Sequence, residues 1–552
     1  MIGVLCNESE RDIVREFFEL FKTPWEFFTA GRRYEVVIST LQKAPQVNAR
    51  LVIIYSSRPT GFDVSKGILV DLAVSDHLID QNGTRLPVYG KLARFSGQGQ
   101  PLICNQTNSE IMAMAFSKPD GRILRIGYDL FSEVAFLLSE GQPAENALIP
   151  TLELHISLLR YWIIDAGIPV VEIPPVPWGH RFIACLTHDV DFVGIRRHKF
   201  DHTFWGFVYR ALIGSVVEFL RGRSSLGRLV KNWIAVFSLP LVYLGLLKDF
   251  WDQFERYAEI EKDFSSTFFL IPFGDRVGDK LQGQFVSQRA TRYDINDVQK
   301  QVEMLVKQGY EIGLHGIDAW HSAEKGKQEL RQIVKVTGQQ EVGVRMHWLC
   351  LERRSPAVLE QAGFDYDSTF GYNGAVGYRA GTLQVFRPLS AVEMLELPLH
   401  IQDTALFSPQ RMALAEKAAW DLCRTFIDVA ICQGGVVTVL WHLRSLAPER
   451  LWGEFYIRLL EELRDRGAWF GTASQVVQWF RQRRSVMFEE SSFDSNRVRL
   501  RLKHESRGPE ARLFLRVHRP HKVGSVTSFT EQTFLDIPLT GQSSMDISLD
   551  WS

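Results

Sequence analysis

Short apolar runs alternate with helical stretches along most of the chain. Near the N-terminal end IGVLC, YEVVIST and RLVIIYS read as strands, and the stretch carrying Phe17, Phe18 and Phe21 reads as an amphipathic helix. A second helix is expected around 152–164, and the proline-dense IPVVEIPPVPWG after it marks a domain junction. From Phe182 to about Phe480, seven apolar runs (FIACLT, STFFLIPF, YEIGLH, EVGVRMH, MLELPLH, GVVTVLWH and AWFGTA) are separated by helical segments. One such segment, YDINDVQKQVEMLVKQG, sets Ile295, Val298, Val302 and Leu305 on one face and ends at Gly309, the expected C-terminal cap. Repeated strand–helix units favour a (β/α) barrel, although an open doubly wound sheet reads similarly. In the tail, Val498, Leu500 and Leu502 alternate with Arg497, Arg499, Arg501 and Lys503, and Leu513, Leu515 and Val517 repeat the pattern, so antiparallel β-structure with one wet face is expected. The fold class is α/β, with an N-terminal α/β domain at 1–173, a barrel at 174–486 and a small β module at 487–552.

Composition narrows the function. The 552 residues carry 63 Lys and Arg against 64 Asp and Glu, so no nucleic-acid partner is indicated. Six cysteines without CxxC spacing read as free thiols, and the start, MIGVLCNESERDIV, has no secretory pattern. A cytoplasmic protein is expected, with the inner face of a membrane as its other station. That second station comes from an insertion at about 196–251, whose residues 232–247, NWIAVFSLPLVYLGLL, form an uncharged run. A membrane span needs about 20 residues, and Pro240 and Gly245 are expected to interrupt this one. It reads as a buried helical hairpin, or as a peripheral membrane contact through 232–247.

The chemistry collects where the apolar runs end. His188, Asp189 and Asp191 follow FIACLT, His315 follows YEIGL, His347 follows GVRM, His400 follows LELPL and His442 follows VVTVLW. On a barrel these ends share one rim, so distant residues converge there. A carboxylate with two imidazoles suits a divalent metal that keeps positions open for water and substrate, and a further carboxylate and histidine supply the base and acid of hydrolysis.

In the order THDVD, GLHGIDAWH, GVRMH, DYDSTFGYNGAVGYRAGT, LELPLH and LWHLRS, the segment from about 174 to 484 resembles the polysaccharide deacetylases of the NodB-homology type, carbohydrate esterase family 4. The resemblance implies a distorted (β/α) barrel and metal-dependent removal of an acyl group from an N-acylated sugar by a water nucleophile. It implies Asp189 as base, Asp191 and His315 as metal ligands, Arg345 as the residue holding the base, and His442 as acid. Where the family has its second metal histidine, four residues after the first, stands Ala319. His347 is preferred as the replacement over His321 because a strand-end position points to the barrel centre. His188, His321, Arg379, His400, Asp403 and Arg444 are expected around the ligands or substrate. The cofactor implied is one divalent ion, zinc foremost. The partner implied is an N-acylated carbohydrate, either free or lipid-linked: Asp318 and Trp320 stand where deformylases of lipid-linked aminosugars have an aspartate and an aromatic residue. The alternatives are a catalytically silent carbohydrate- or lipid-binding protein and an allantoinase-like amide hydrolase.

Overall fold

The computed structural model describes residues 1–73, 76–79, 83, 85–104, 110–222, 225–279, 292–494, 497–503, 512–519, 534–539 and 544–550. The chain divides into two compact units. The first comprises Met1–Gly179, Ala380–Leu389 and Trp479–Ser552, and the second His180–Arg379 and Ser390–Gln478.

In the first unit, Ile2–Leu5, Val36–Ser39, Leu51–Tyr55 and Gly121–Ile126 are neighbouring parallel strands whose apolar side chains are largely buried. The tail does alternate as expected, with Val498, Leu500 and Leu502 buried and Arg499 exposed. Phe514–His518 pairs antiparallel with Val170–Glu172, and the His518 imidazole meets the Glu172 carboxylate at 2.8 Å, both buried. A buried hydrogen bond and a shared sheet bind this part of the tail to a strand inside the proline-rich junction.

The second unit is built on eight parallel strands: β1 (Phe182–Val190), β2 (Ser266–Leu270), β3 (Glu311–Gly316), β4 (Val344–Met346), β5 (Tyr366–Asp367), β6 (Leu395–Glu396), β7 (Ile401–Gln402) and β8 (Val436–Leu440). Their order across the sheet is β6-β5-β4-β3-β2-β1-β8-β7. No ladder joins β6 to β7 among the described residues, yet four residues connect them. Four residues span at most about 14 Å, so the two edges stand close and the sheet curls into a distorted barrel. The connection itself bridges the gap, with Leu397 N–H donating to Asp367 C=O at 2.8 Å and His400 N–H donating to Thr438 C=O at 3.3 Å. Ala468–Phe470 adds a further parallel strand beside the start of β1.

The insertion forms two helices, α1 (His202–Leu220) and α2 (Leu226–Tyr243). Pro240 lies inside α2 and does not interrupt it, while Gly245, with φ 78°, follows the end. A proline in the last turn removes only one helical donor, which explains its tolerance there. The hairpin is buried along one stripe only.

Gly343, just before β4, faces the Tyr366 ring so closely that a Cβ there would lie 1.9 Å from Cζ. The Tyr366 hydroxyl is fixed by donating to Glu311 at 2.7 Å, so the ring cannot yield. Gly343→Ala is expected to cost at least about 1–3 kcal/mol, the usual range for overpacking. Thermal unfolding of the variant checks this, and an unchanged midpoint would contradict it.

Candidate active site

Every group that matters lies at the carboxyl end of a barrel strand, where inward side chains from different strands converge. On β1, period-two alternation turns Thr187 and Asp189 to one face and His188 to the other. The consequence is visible in their partners. Asp189 Oδ1 lies 3.1 Å from Arg345 Nη1 on β4, whereas His188 is fully buried between Glu261, at 2.9 Å, and the Trp441 carbonyl, at 2.8 Å, beside the rings of Tyr257 and Phe268. His188 therefore holds the barrel wall and stands away from the site.

Asp191, just past β1, gathers the rest. Its Oδ1 lies 3.3 Å from His315 Nε2 and 3.4 Å from His347 Nε2, and its Oδ2 lies 3.7 Å from His442 Nε2. The Oδ1 atom is buried and accepts no hydrogen bond. The three donor atoms suit a divalent cation. Zinc–ligand bonds of about 2.0–2.1 Å at tetrahedral angles set neighbouring ligand atoms about 3.4 Å apart. The tautomer agrees: His315 Nδ1–H donates to the Arg345 carbonyl at 3.0 Å, which leaves a lone pair on Nε2 in the neutral ring. A lone pair aimed at a carboxylate oxygen repels it unless a proton or a cation lies between. Burial opposes charging the ring, yet Asp189 and Asp191 outweigh burial and raise the His315 pKa. The same balance lowers that of Asp191: burial raises it, and His347, His315 and His442 more than reverse the effect.

His347 reaches the cluster through an uncommon turn. Trp348 and Leu349 both have positive φ, 61° and 51°, a costly conformation for side chains of this size. The Asn373 amide holds the turn by donating to the Trp348 carbonyl at 2.8 Å. His321 lies elsewhere, with Asp279 and Asp318. There the Lys325 ammonium contacts Asp279 and stands 3.5 Å from Asp318, so a lysine already balances that acidic pair. His321→Ala is accordingly expected to leave metal stoichiometry unchanged by elemental analysis; loss of the ion would move the ligand assignment to His321.

The base and acid candidates each have their own support. Arg345 is fully buried, with Nη1 donating to Thr187 Oγ1 at 2.7 Å, Nε to the Ser368 carbonyl at 2.9 Å and Nη2 to Ser368 Oγ at 2.8 Å, which fixes the fork that meets Asp189. His442 Nδ1 lies 2.6 Å from Asp403 Oδ1, its own backbone N–H donates to Asp403 Oδ2 at 2.7 Å, and the Ser445 hydroxyl also donates to Oδ2. Asp403 is fully buried just after β7. Burial disfavours the imidazolium of His442, but Asp403 with Asp191 and Asp189 prevails and its pKa lies above the ordinary value.

Of the remaining residues singled out in the sequence, Arg444 lies two positions past His442, with its guanidinium 3.7 Å from the Trp251 ring centroid and 2.5 Å from Glu449. Arg379 Nη1 donates to the Gly371 carbonyl at 3.0 Å and stacks on Phe370, bracing the segment after β5. His400 Nδ1 accepts from Thr438 N–H at 3.3 Å on β8. Thr187, Ser368 and Ser445 were not singled out, although all three lie inside the motifs; what distinguishes them is the buried charge each satisfies.

No protein-family model matches the sequence, and no curated protein matches it. Solved structures do match. Several are described as polysaccharide deacetylases. One from Mycobacterium smegmatis, assigned to that activity in its description, is 17% identical over 56% of this chain and 94% of its own, with a TM-score of 0.35. The polysaccharide deacetylase Bc1974 from Bacillus cereus is 11% identical over 53% of this chain and 91% of its own, at 0.26. A family 4 pseudoenzyme from Bacillus anthracis is 12% identical over 55% of this chain and 70% of its own, at 0.24. A GH57-type branching enzyme from Pyrococcus horikoshii matches as well, 11% identical over 54% of this chain and 70% of its own, with a TM-score of 0.27. With superpositions of this quality, the site's chemistry must be read from its own atoms.

Proposed function

We propose that the protein is a metal-dependent hydrolase that removes the acyl group from the nitrogen of an N-acylated sugar. The observation that carries the reading is the buried Asp191 oxygen, without a hydrogen bond, between two imidazole nitrogens, in the same cluster as a separately held carboxylate and a separately held histidine. Asp191, His315 and His347 are the ligand set; one carboxylate with two imidazoles holds zinc in hydrolases and Fe(II) in oxygenases, and the base and acid beside the set favour hydrolysis and therefore zinc. When bound, such an ion polarises the acyl carbonyl and lowers the pKa of water.

The chain's own groups do the proton work. Asp189 takes the proton of the attacking water, and Arg345 holds its Oδ1 in place so that one oxygen remains for that task. His442 presents Nε2 to the centre and donates its proton to the departing amine, while Asp403 fixes the ring through Nδ1 and stabilises the imidazolium. An amine leaves poorly without that proton, so acid and base are both required. We take the sugar to be carried on a lipid, because the insertion that begins just past Asp191 exposes apolar helices.

Incubating zinc-loaded protein with N-acetylated amino sugars and assaying acetate tests the reading. Release that a chelator stops and zinc restores is expected. No release from any N-acylated sugar by fully loaded protein would refute it.

A further inference from the structure

The two inserted helices are apolar around most of their circumference, which in water is normally a property of fully buried helices. Here protein covers only one stripe of each. Phe204, Phe207, Ala211 and Ser215 are the buried positions of α1, and Leu229, Asn232, Ala235, Leu239 and Val242 those of α2, spaced three or four apart as a helix–helix seam requires. The other faces present Trp205, Tyr209, Ile213, Trp233, Ile234 and Phe237 to solvent, Phe237 at 73% exposure. More than half of the exposed large apolar side chains among the described residues lie in this insertion. A contiguous patch of that kind calls for an apolar partner.

Charge identifies the partner. From 196 to 248 the chain has nine Lys and Arg against two Asp and Glu, in a protein whose overall charge is −1. Most of the basic residues flank the helices: Arg196, Arg197 and Lys199 precede α1, Arg221 follows it and Lys248 follows α2, while Arg210 lies inside α1 and Arg228 and Lys231 in the first half of α2. Arg228, Lys231, Lys248 and Arg256 line one cavity of about 420 Å³ beside the helices together with Asp249, Asp252 and Glu454; three of these cations are paired with carboxylates, and Lys231 has no carboxylate partner among the described residues. Indole and phenol rings between apolar side chains, with cations at the margins, suit the boundary of acyl chains and anionic headgroups. A second copy of the same face would instead set this positive excess against itself. The helices also lie along the protein rather than leaving it, since Phe207 packs 5.2 Å from Phe250 and 5.9 Å from Trp251.

We propose that α1 and α2 dock the protein on a bilayer containing anionic phospholipid, with their exposed faces sunk to the level of the acyl chains. The anchorage leads back to the site. Trp251 packs on Phe192, at 5.7 Å, and lies under Arg444, so the hairpin is seated on the loops that carry Asp191 and His442. Delivery of a lipid-borne amide to the rim is the part that rests on the hydrolase reading; docking itself does not.

The test is flotation of the full chain with vesicles of phosphatidylcholine, alone or mixed with equal phosphatidylglycerol, beside the double variant Trp233→Glu/Phe237→Glu. Wild type is expected to float with the mixed vesicles, less with phosphatidylcholine alone and less at raised salt, and the variant to lose at least about tenfold in partitioning. Both replaced side chains are exposed, so circular dichroism and metal content should match wild type. Wild type that does not float, a variant that floats equally, or a salt-insensitive dimer that the variant dissociates would each overturn docking. Metal uptake measured on the same samples separates the two proposals: failure to take up metal with flotation intact removes the hydrolase reading and leaves docking standing.

Discussion

His442→Ala is expected to lower kcat on an N-acylated sugar by about 10²–10⁴-fold, the usual contribution of a positioned general acid, with the bound metal unchanged. His442 belongs to a different pair from the ligands, with Asp403 held at 2.6 Å from Nδ1, while its Nε2 is 3.7 Å from the nearer Asp191 oxygen. Asp403→Asn gives the milder and more diagnostic form. The acid must be protonated to work, so activity is lost as pH rises through its pKa. Asp403 helps to hold that pKa above the ordinary histidine value, so the alkaline limb of kcat/KM should move to lower pH in Asp403→Asn. A bound cation acts against protonation equally in wild type and variant, and the direction of the difference survives it. Equal loss of metal and turnover in His442→Ala would make His442 a ligand, and an unmoved limb in Asp403→Asn would deny Asp403 its role.

Asp189→Asn is expected to lower kcat by a similar factor, about 10²–10⁴-fold, because an amide cannot take the proton of water. The ligands Asp191, His315 and His347 are untouched, so metal content should remain at wild-type level by elemental analysis. Arg345→Ala should behave differently. Its guanidinium is fully buried between Asp189, Thr187 and Ser368, and breaking a buried pair typically costs about 3–5 kcal/mol. Thermal unfolding should therefore separate the two: a marked loss of stability for Arg345→Ala and a smaller one for Asp189→Asn. A variant Asp189→Asn with full turnover would remove the carboxylate from the mechanism.

The site was more legible in the sequence than the way the chain closes around it. Asp191, His315 and His347 could be read together because each ends an apolar run, and a barrel brings strand ends to one rim whatever their separation in sequence. His188 ends the same run as Asp191, yet it packs against Glu261 and the Trp441 carbonyl, because once Asp189 faces inward strand alternation sends its neighbour outward. The strand Tyr366–Asp367 left no signal, since two residues cannot display a period. LELPLH read as one strand, yet its chain makes β6, the bridge between edges, and the approach to β7. The pairing of Val170–Glu172 with Phe514–His518 joins segments more than three hundred residues apart, and local pattern carries no trace of such a partner. Propensity, which speaks for an isolated helix, predicts an interruption at Pro240, whereas packing of the buried stripe carries α2 past it.

Zinc titration of metal-stripped protein by calorimetry, for wild type beside His347→Ala and His321→Ala, tests the central claim most directly. One site per chain in wild type and in His321→Ala, with at least about 100-fold weaker binding in His347→Ala, is the result expected when removing a ligand exceeds the about 10–100-fold cost of losing an outer-shell partner. Binding by His347→Ala as tight as by wild type would contradict a centre built from Asp191, His315 and His347.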